Sequence, residues 1–193
     1  MATLTRLCRP LVAAFAVAAL AMLLHAPAAR AAEGTFSKVE VLSAADEFFG
    51  GVTKGLAEVV EKVFSDLGAP NAYIIGEEVS GAFIFGLRYG KGELNRKGHK
   101  GVDVYWQGPS LGFDFGGNAS KTFVLVYNLG DVETLYQRYP SVDGSFYFVA
   151  GVGVNYQRAG NTTVAPIRTG VGLRFGGSLG YVHYTKDASV VPF

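Results

Sequence analysis

The stretch V-Y-W-Q-G-P-S-L-G-F-D-F-G-G, Val104 to Gly117, holds the chain's one tryptophan, and its reading decides the fold. Apolar and polar residues alternate on both sides of a Gln107-Gly108-Pro109-Ser110 centre. That spacing predicts a strand at 102–106, a turn at 107–110 and a second strand at 111–115. Pro109 fixes φ and supplies no N–H, so it belongs in a turn or at a strand edge. Trp106 then reads as a core or rim anchor, with ligand stacking as the rival reading.

Outward from this stretch the same period of two continues. Candidate strands fall at 72–75, 80–89, 92–94, 122–127, 145–154, 164–167, 169–175 and 179–184. Gly, Asn, Asp and Pro punctuate them at 96–99, 116–118, 160–161 and 176–177. Residues 131–139 read as a short helix or turn across one end. Glycines recur inside the candidate strands, as at Gly151, Gly153, Gly170 and Gly172. In-strand glycine weakens a sheet unless it marks a bend or a close approach. A small closed barrel needs such bends and removes its exposed edges. The pattern L-G-F-D-F-G-G at Leu111–Gly117 returns as V-G-L-R-F-G-G at Val171–Gly177, one strand-and-turn device used twice. It sets Asp114 and Arg174 at matching positions, where interior burial would require them to pair. Arg88 and Arg168 raise the same structural reading.

Before Pro70 the period is helical. Phe49, Val52, Leu56, Val59, Val63 and Leu67 recur every three or four residues, and Gly68 with Pro70 is a stop. Ser43 to Asp46 has capping-box spacing. Gly50, Gly51 and Gly55 each cost about 1 kcal/mol in a helix, so the segment is either two pieces or one helix lying close on a sheet. The predicted fold is mainly β: a small antiparallel, water-soluble barrel with an N-terminal amphipathic helical segment packed on it.

The N-terminus reads as an export leader. Arg6 and Arg9 precede a run of apolar residues, Leu11 to Leu24, and Ala29-Arg30-Ala31 is a small-x-small cleavage site. The apolar run is short against the roughly 20 residues of a membrane span, so no anchor is expected after cleavage. The expected organisation is 1–31 cleaved leader, 32–42 flexible lead-in and 43–193 a single domain. Cleavage removes three arginines and leaves 14 basic against 16 acidic residues, net −2, and no cysteine. That balance gives no footprint for nucleic acid. A cysteine-free exported chain points to a bacterial periplasm, with peripheral membrane association as a further option.

No catalytic constellation emerges. His99 and His183 stand alone, and no metal or cofactor is expected. Glu77 and Glu78 are adjacent on a strand and point to opposite faces. G-L-R-Y-G-K-G-E-L offers Arg88 and Lys91 to an anion, beside Tyr89. The ligand-binding candidates are therefore Trp106, Tyr89, Arg88 and Lys91. The structural candidates are Gly108, Pro109, Asp114, Arg174, Arg168 and Gly172.

The runs P-N-A-Y-I-I-G-E-E-V-S-G-A-F-I-F-G-L-R-Y-G-K-G-E-L (70–94), V-Y-W-Q-G-P-S-L-G-F-D-F-G-G, V-L-V-Y-N-L (124–129), Y-Q-R-Y (136–139) and P-I-R-T-G-V-G-L-R (166–174), with the terminal Pro-Phe, resemble the EipA envelope-integrity family of alphaproteobacteria. The resemblance spans residues 40–193. It implies a periplasmic small β-barrel with attached helices that maintains the cell envelope, and it brings no catalytic residues. A more distant likeness links G-L-R-Y-G-K-G-E-L, W-Q-G-P-S-L-G and V-L-V-Y-N to SYLF domains, some of which bind lipid. The expected role is non-enzymatic support of the envelope through a lipid, glycan or protein component. The alternatives are an enzyme acting on envelope glycan or lipid, with Glu78 and Asp114 or His183 as its groups, and an outer-membrane β-barrel.

Overall fold

The computed structural model describes residues 34–114, 120–169 and 180–189. Two helices lead. Helix α1 spans Lys38–Phe49 and α2 spans Lys54–Leu67, so the glycine-weakened segment is two pieces. The capping box is not at Ser43. Ser37 caps α1, its Oγ accepting from Glu40 N and its own N–H donating to the Glu40 carboxylate at 2.7 Å. Residues 38–42 are thus helical, and the lead-in is shorter than expected. Gly50 ends α1 at φ +81°, a left-handed conformation that glycine adopts freely. Thr53 then caps α2 through Leu56 N at 3.2 Å.

Two strands are longer than the glycines suggest. β1 runs unbroken over Ala72–Asn95 and takes in three of the predicted strands. β2 spans Val102–Asp114 and passes straight through Gln107-Gly108-Pro109-Ser110. The predicted turn there is absent: Gly108 pairs with Arg88 and Pro109 with Leu87 across the β1–β2 ladder. Two contacts explain the glycine and proline. A Cβ on Gly108 would lie 2.3 Å from the Tyr181 carbonyl. Pro109 follows the last β2–β9 pair, Gln107 with His183. After β3 (Ser120–Tyr127) a 3₁₀ turn covers Val132–Leu135, and β4 is Arg138–Pro140. The single strand expected at 145–154 is a hairpin, β5 (Tyr147–Val149) and β6 (Val152–Val154). Its turn is Ala150 and Gly151, both at positive φ. β7 (Gln157–Ala159), β8 (Thr162–Thr169) and β9 (Tyr181–Thr185) complete the described strands.

All ladders are antiparallel, in the order β4-β9-β2-β1-β3-β8-β6-β5, with β7 also on β8. β1 is the axis: its first half pairs with β3 and its second with β2. The sheet curls into a half-barrel with the helices packed against it. The curl brings β4 round to β7, where an isolated bridge joins Ser141 and Gln157.

Side-chain parity separates two cores. Tyr73, Ile75, Phe123, Leu125, Ala165 and Ile167 face outward under Val41, Leu56, Val59 and Val63 of the helices. Ile74, Leu94, Val104, Trp106, Val124, Val126, Val164 and Tyr184 fill the concave side. The inner face pinches where β1 meets itself: a Cβ on Gly76 would lie 2.2 Å from the Lys91 carbonyl, and one on Gly92 2.3 Å from the Ile75 carbonyl. Glycine is required at both positions by backbone approach.

Candidate functional site

Trp106 sits between an inner polar cluster and an outer pocket. On the inside its indole N–H donates to a Glu78 Oε2 at 2.9 Å. Arg168 grips the same carboxylate with two bonds of 3.1 Å, Nε to Oε1 and Nη2 to Oε2. Arg88 approaches it at 3.8 Å and gives its own Nε–H to the Pro109 carbonyl at 3.0 Å. Burial pushes the Glu78 carboxyl up, yet the Arg168 and Arg88 guanidiniums and the donated hydrogen bonds outweigh it and hold the group down at about 2. The polar end of the interior continues through Thr122, Asn155 and Gln157. The Thr122 hydroxyl, the Asn155 amide nitrogen and both Gln157 amide atoms are buried without a hydrogen-bond partner among the described residues. Such groups are commonly satisfied by internal water.

The indole ring packs close against the β1 backbone. A Cβ on its cross-strand partner Gly90 would fall 2.0 Å from Trp106 Cε2. On the other side of this wall is a cavity of about 300 Å³, lined by Glu77, Val79, Tyr89, Lys91, Tyr105, Gln107 and the β9 end, with Gly90 and Trp106. Its construction follows from the ladder. Lys91 stands opposite Tyr105, Tyr89 opposite Gln107, and Tyr105 opposite Thr185. In a strand these alternate positions share one face. Among the described residues the Glu77 and Lys91 side chains make no ion pair or hydrogen bond, with each other or with any neighbour. Lys121, the register partner of Glu77, is engaged elsewhere, donating to the Phe48 carbonyl at 2.6 Å.

The structure brings three of the four ligand candidates, Trp106, Tyr89 and Lys91, to this pocket. Arg88 is on the opposite face, buried against Glu78. Arg168, read as a structural pair, holds Glu78. Asp114 ends β2 opposite Ala82. Its expected pairing with Arg174, and the role of Gly172, lie outside the described residues. Sequence reasoning gave Tyr105 no more weight than the other tyrosines and passed over Gln107 as a pocket residue. The signal was present, since they alternate with Trp106 on a strand whose partner carries Tyr89 and Lys91. It also treated Glu77 only as half of a carboxylate pair; its separation from Glu78 by the sheet leaves one acid in each site.

Among the described residues the groups an enzyme would need are not assembled. Glu78 is tied into its ion pairs. His183 is held below its ordinary value by burial and by the nearby Arg138 guanidinium, and its Nδ1 is buried without a partner. His99 is exposed, with Nδ1 2.8 Å from the Lys97 carbonyl. Among the described residues no three of His, Cys, Asp or Glu are grouped to hold a metal, and no helix is long and apolar enough to cross a membrane.

Comparison with known proteins agrees with this geometry. The crystal structure of a beta-barrel-like, uncharacterized protein from Brucella abortus is similar to this chain at 48% identity and a TM-score of 0.77, covering 83% of this chain and 99% of that one. No curated protein matches. The family described as Envelope integrity protein A, EipA, matches residues 34–193; none of these comparisons supports the more distant SYLF likeness. The chain belongs to the EipA envelope-integrity family.

Proposed function

We propose that this EipA-family chain works in the periplasm, after loss of its leader, as a non-catalytic protein that supports the envelope by binding one of its components in the pocket over Trp106. The observation that carries this reading is the pocket itself. It is concave, lined by Tyr89, Tyr105 and Trp106, and edged by an acid and a base that have no partner among the described residues. Ligand sites are built this way: apolar walls with a few convergent polar groups. Lipid, glycan and protein components are all candidates at this level of the reading.

Two observations weigh against the rival readings. Glu78, the best acid, is neutralised by two guanidiniums and turned away from the pocket. The outer face of β3 and β8 is covered by helices and the inner face is packed with apolar side chains. A membrane barrel instead presents an apolar outer band to lipid around a polar lumen.

The test is capture from solubilised envelope fractions on immobilised protein, comparing wild type with Tyr89→Ala/Tyr105→Ala. Retention of an envelope component by wild type and its loss in the variant is the expected result. Equal retention by both would move the binding surface away from this pocket.

A further inference from the structure

We propose that the pocket takes a zwitterionic phospholipid headgroup of the phosphoethanolamine type, with the ammonium at Glu77 and the phosphodiester at Lys91. The inference rests on the pocket being a binding site, and it names the ligand's chemistry. One acid and one base line the same cavity without pairing to each other. A ligand carrying both charges satisfies both at once, whereas a singly charged or neutral one leaves one of them unmatched. The aromatic walls point the same way. Tyr89 and Tyr105 stand on the pocket's face of the sheet with Glu77 and Lys91, while the Trp106 ring turns inward to Glu78. An aromatic ring attracts a cation through its quadrupole, while a hydroxyl-rich neutral ligand gains little from it. Lysine suits the other end, as a point charge that binds phosphate. Behind Trp106, among the described residues, two guanidiniums face one carboxylate, a field that does not repel the phosphodiester.

The rim supplies the reason to choose a lipid over a free amino acid. Val79 and Leu87 lie on the same alternating set of β1 positions as Glu77, Tyr89 and Lys91, and they are 45% and 38% exposed. Val79 lines the pocket and Leu87 stands two positions from Tyr89 on the same face, apolar side chains that would seat the glycerol and first methylenes of a lipid. A lipid brings methylenes to that edge with any headgroup, whereas a free amino acid reaches it only when its own side chain is apolar.

The single tryptophan makes the test direct. Trp106 emission is titrated with monomeric dihexanoyl phosphatidylethanolamine, its N-acetylated form, dihexanoyl phosphatidylglycerol and a zwitterionic dipeptide. The expected order is phosphatidylethanolamine at least tenfold tighter than each of the other three. Glu77→Gln removes that preference; Lys91→Met weakens both lipids tenfold or more. Equal binding of phosphatidylethanolamine and phosphatidylglycerol, an unaltered preference in Glu77→Gln, or a dipeptide that binds as tightly as the lipid overturns the proposal. A solubilised envelope extract is run beside these probes. If the extract shifts Trp106 emission and phosphatidylethanolamine does not, the headgroup assignment falls and the binding reading stands; if neither shifts it, both fall.

Discussion

Glu78 accepts the indole N–H of Trp106 at 2.9 Å on the inner face of the sheet, and the same tryptophan lines the outer pocket. The buried carboxylate therefore holds Trp106 in place as well as pairing with two guanidiniums. Removing one partner of a buried ion pair strands the others and costs about 3–5 kcal/mol. Glu78→Gln is expected to lose about 3 kcal/mol in urea denaturation followed by Trp106 emission. Replacing Glu78 and Arg168 together by apolar residues is expected to recover part of that loss.

The same group gives the fold an acid limit. Its carboxyl is depressed to about 2 from an ordinary 4.5. A depressed acid contributes stability that is fully present above 4.5 and is lost as pH falls from there through about 2. The shift corresponds to roughly 3 kcal/mol. Denaturation midpoints measured at intervals from pH 6 to pH 2 should fall in wild type and fall less steeply in Glu78→Gln. Glu40 is depressed to about 2 as well, by its hydrogen bonds to Lys97 and Ser37 at the surface, so a residual slope remains in the variant.

Gly76 and Gly92 make a tight backbone approach in the inner face. A methyl group on Gly76 would sit 2.2 Å from a main-chain carbonyl, which no side-chain rotation relieves. Gly76→Ala and Gly92→Ala are each expected to cost roughly 3 kcal/mol or prevent folding, at the upper end of overpacking penalties. Gly130, which has nothing within 4 Å, is the control: Gly130→Ala is expected to leave the denaturation midpoint unchanged.

Gly55 poses a conflict of signs inside α2. Alanine gains about 1 kcal/mol of helix propensity over glycine. A Cβ there, however, would lie 2.7 Å from the Val149 carbonyl and 3.0 Å from the Ala150 Cβ. The contact is with the main chain of the β5–β6 hairpin, so it outweighs the propensity gain. Gly55→Ala is expected to lower stability by about 1–2 kcal/mol net, with helix content by circular dichroism unchanged.

The helix caps give a cleaner comparison. Ser37→Ala removes a capping side chain and is expected to cost about 1 kcal/mol. Ser43→Ala, at an exposed mid-helix position, is expected to be neutral or slightly stabilising. A larger loss at Ser43 in thermal melts would contradict the helix start at Lys38.

What the sequence made legible was periodicity. The apolar stripe of α2, the stop at Gly68, the strand at 122–127 and the β-rich class follow from residue spacing alone. What misled was punctuation. Gly90-Lys91-Gly92 and Gly108-Pro109 have the composition of turns, yet each lies within a strand. Their glycines are demanded by Trp106, by Ile75 and by the Tyr181 carbonyl, neighbours that only the folded chain brings together. The Ser37–Glu40 box was visible as Ser-x-x-Glu and is the stronger form of the motif chosen six residues later. The inner cluster was half legible: Arg88 and Arg168 read as structural charges, but the Glu78–Arg168 pair joins strands far apart in sequence. The pocket was legible as aromatic and charged residues near Trp106. Its position on the face opposite Arg88 depends on strand parity through Pro109, which an assumed turn conceals.

The central claim is that this chain meets the envelope through the pocket over Trp106. Its most direct test is a photoreactive amino acid placed at Tyr105 in living cells, with a second placed at Val39, which is 75% exposed on α1. The account predicts an adduct with an envelope component from position 105 and none from position 39. An adduct from position 39 alone, or none from position 105, would contradict it.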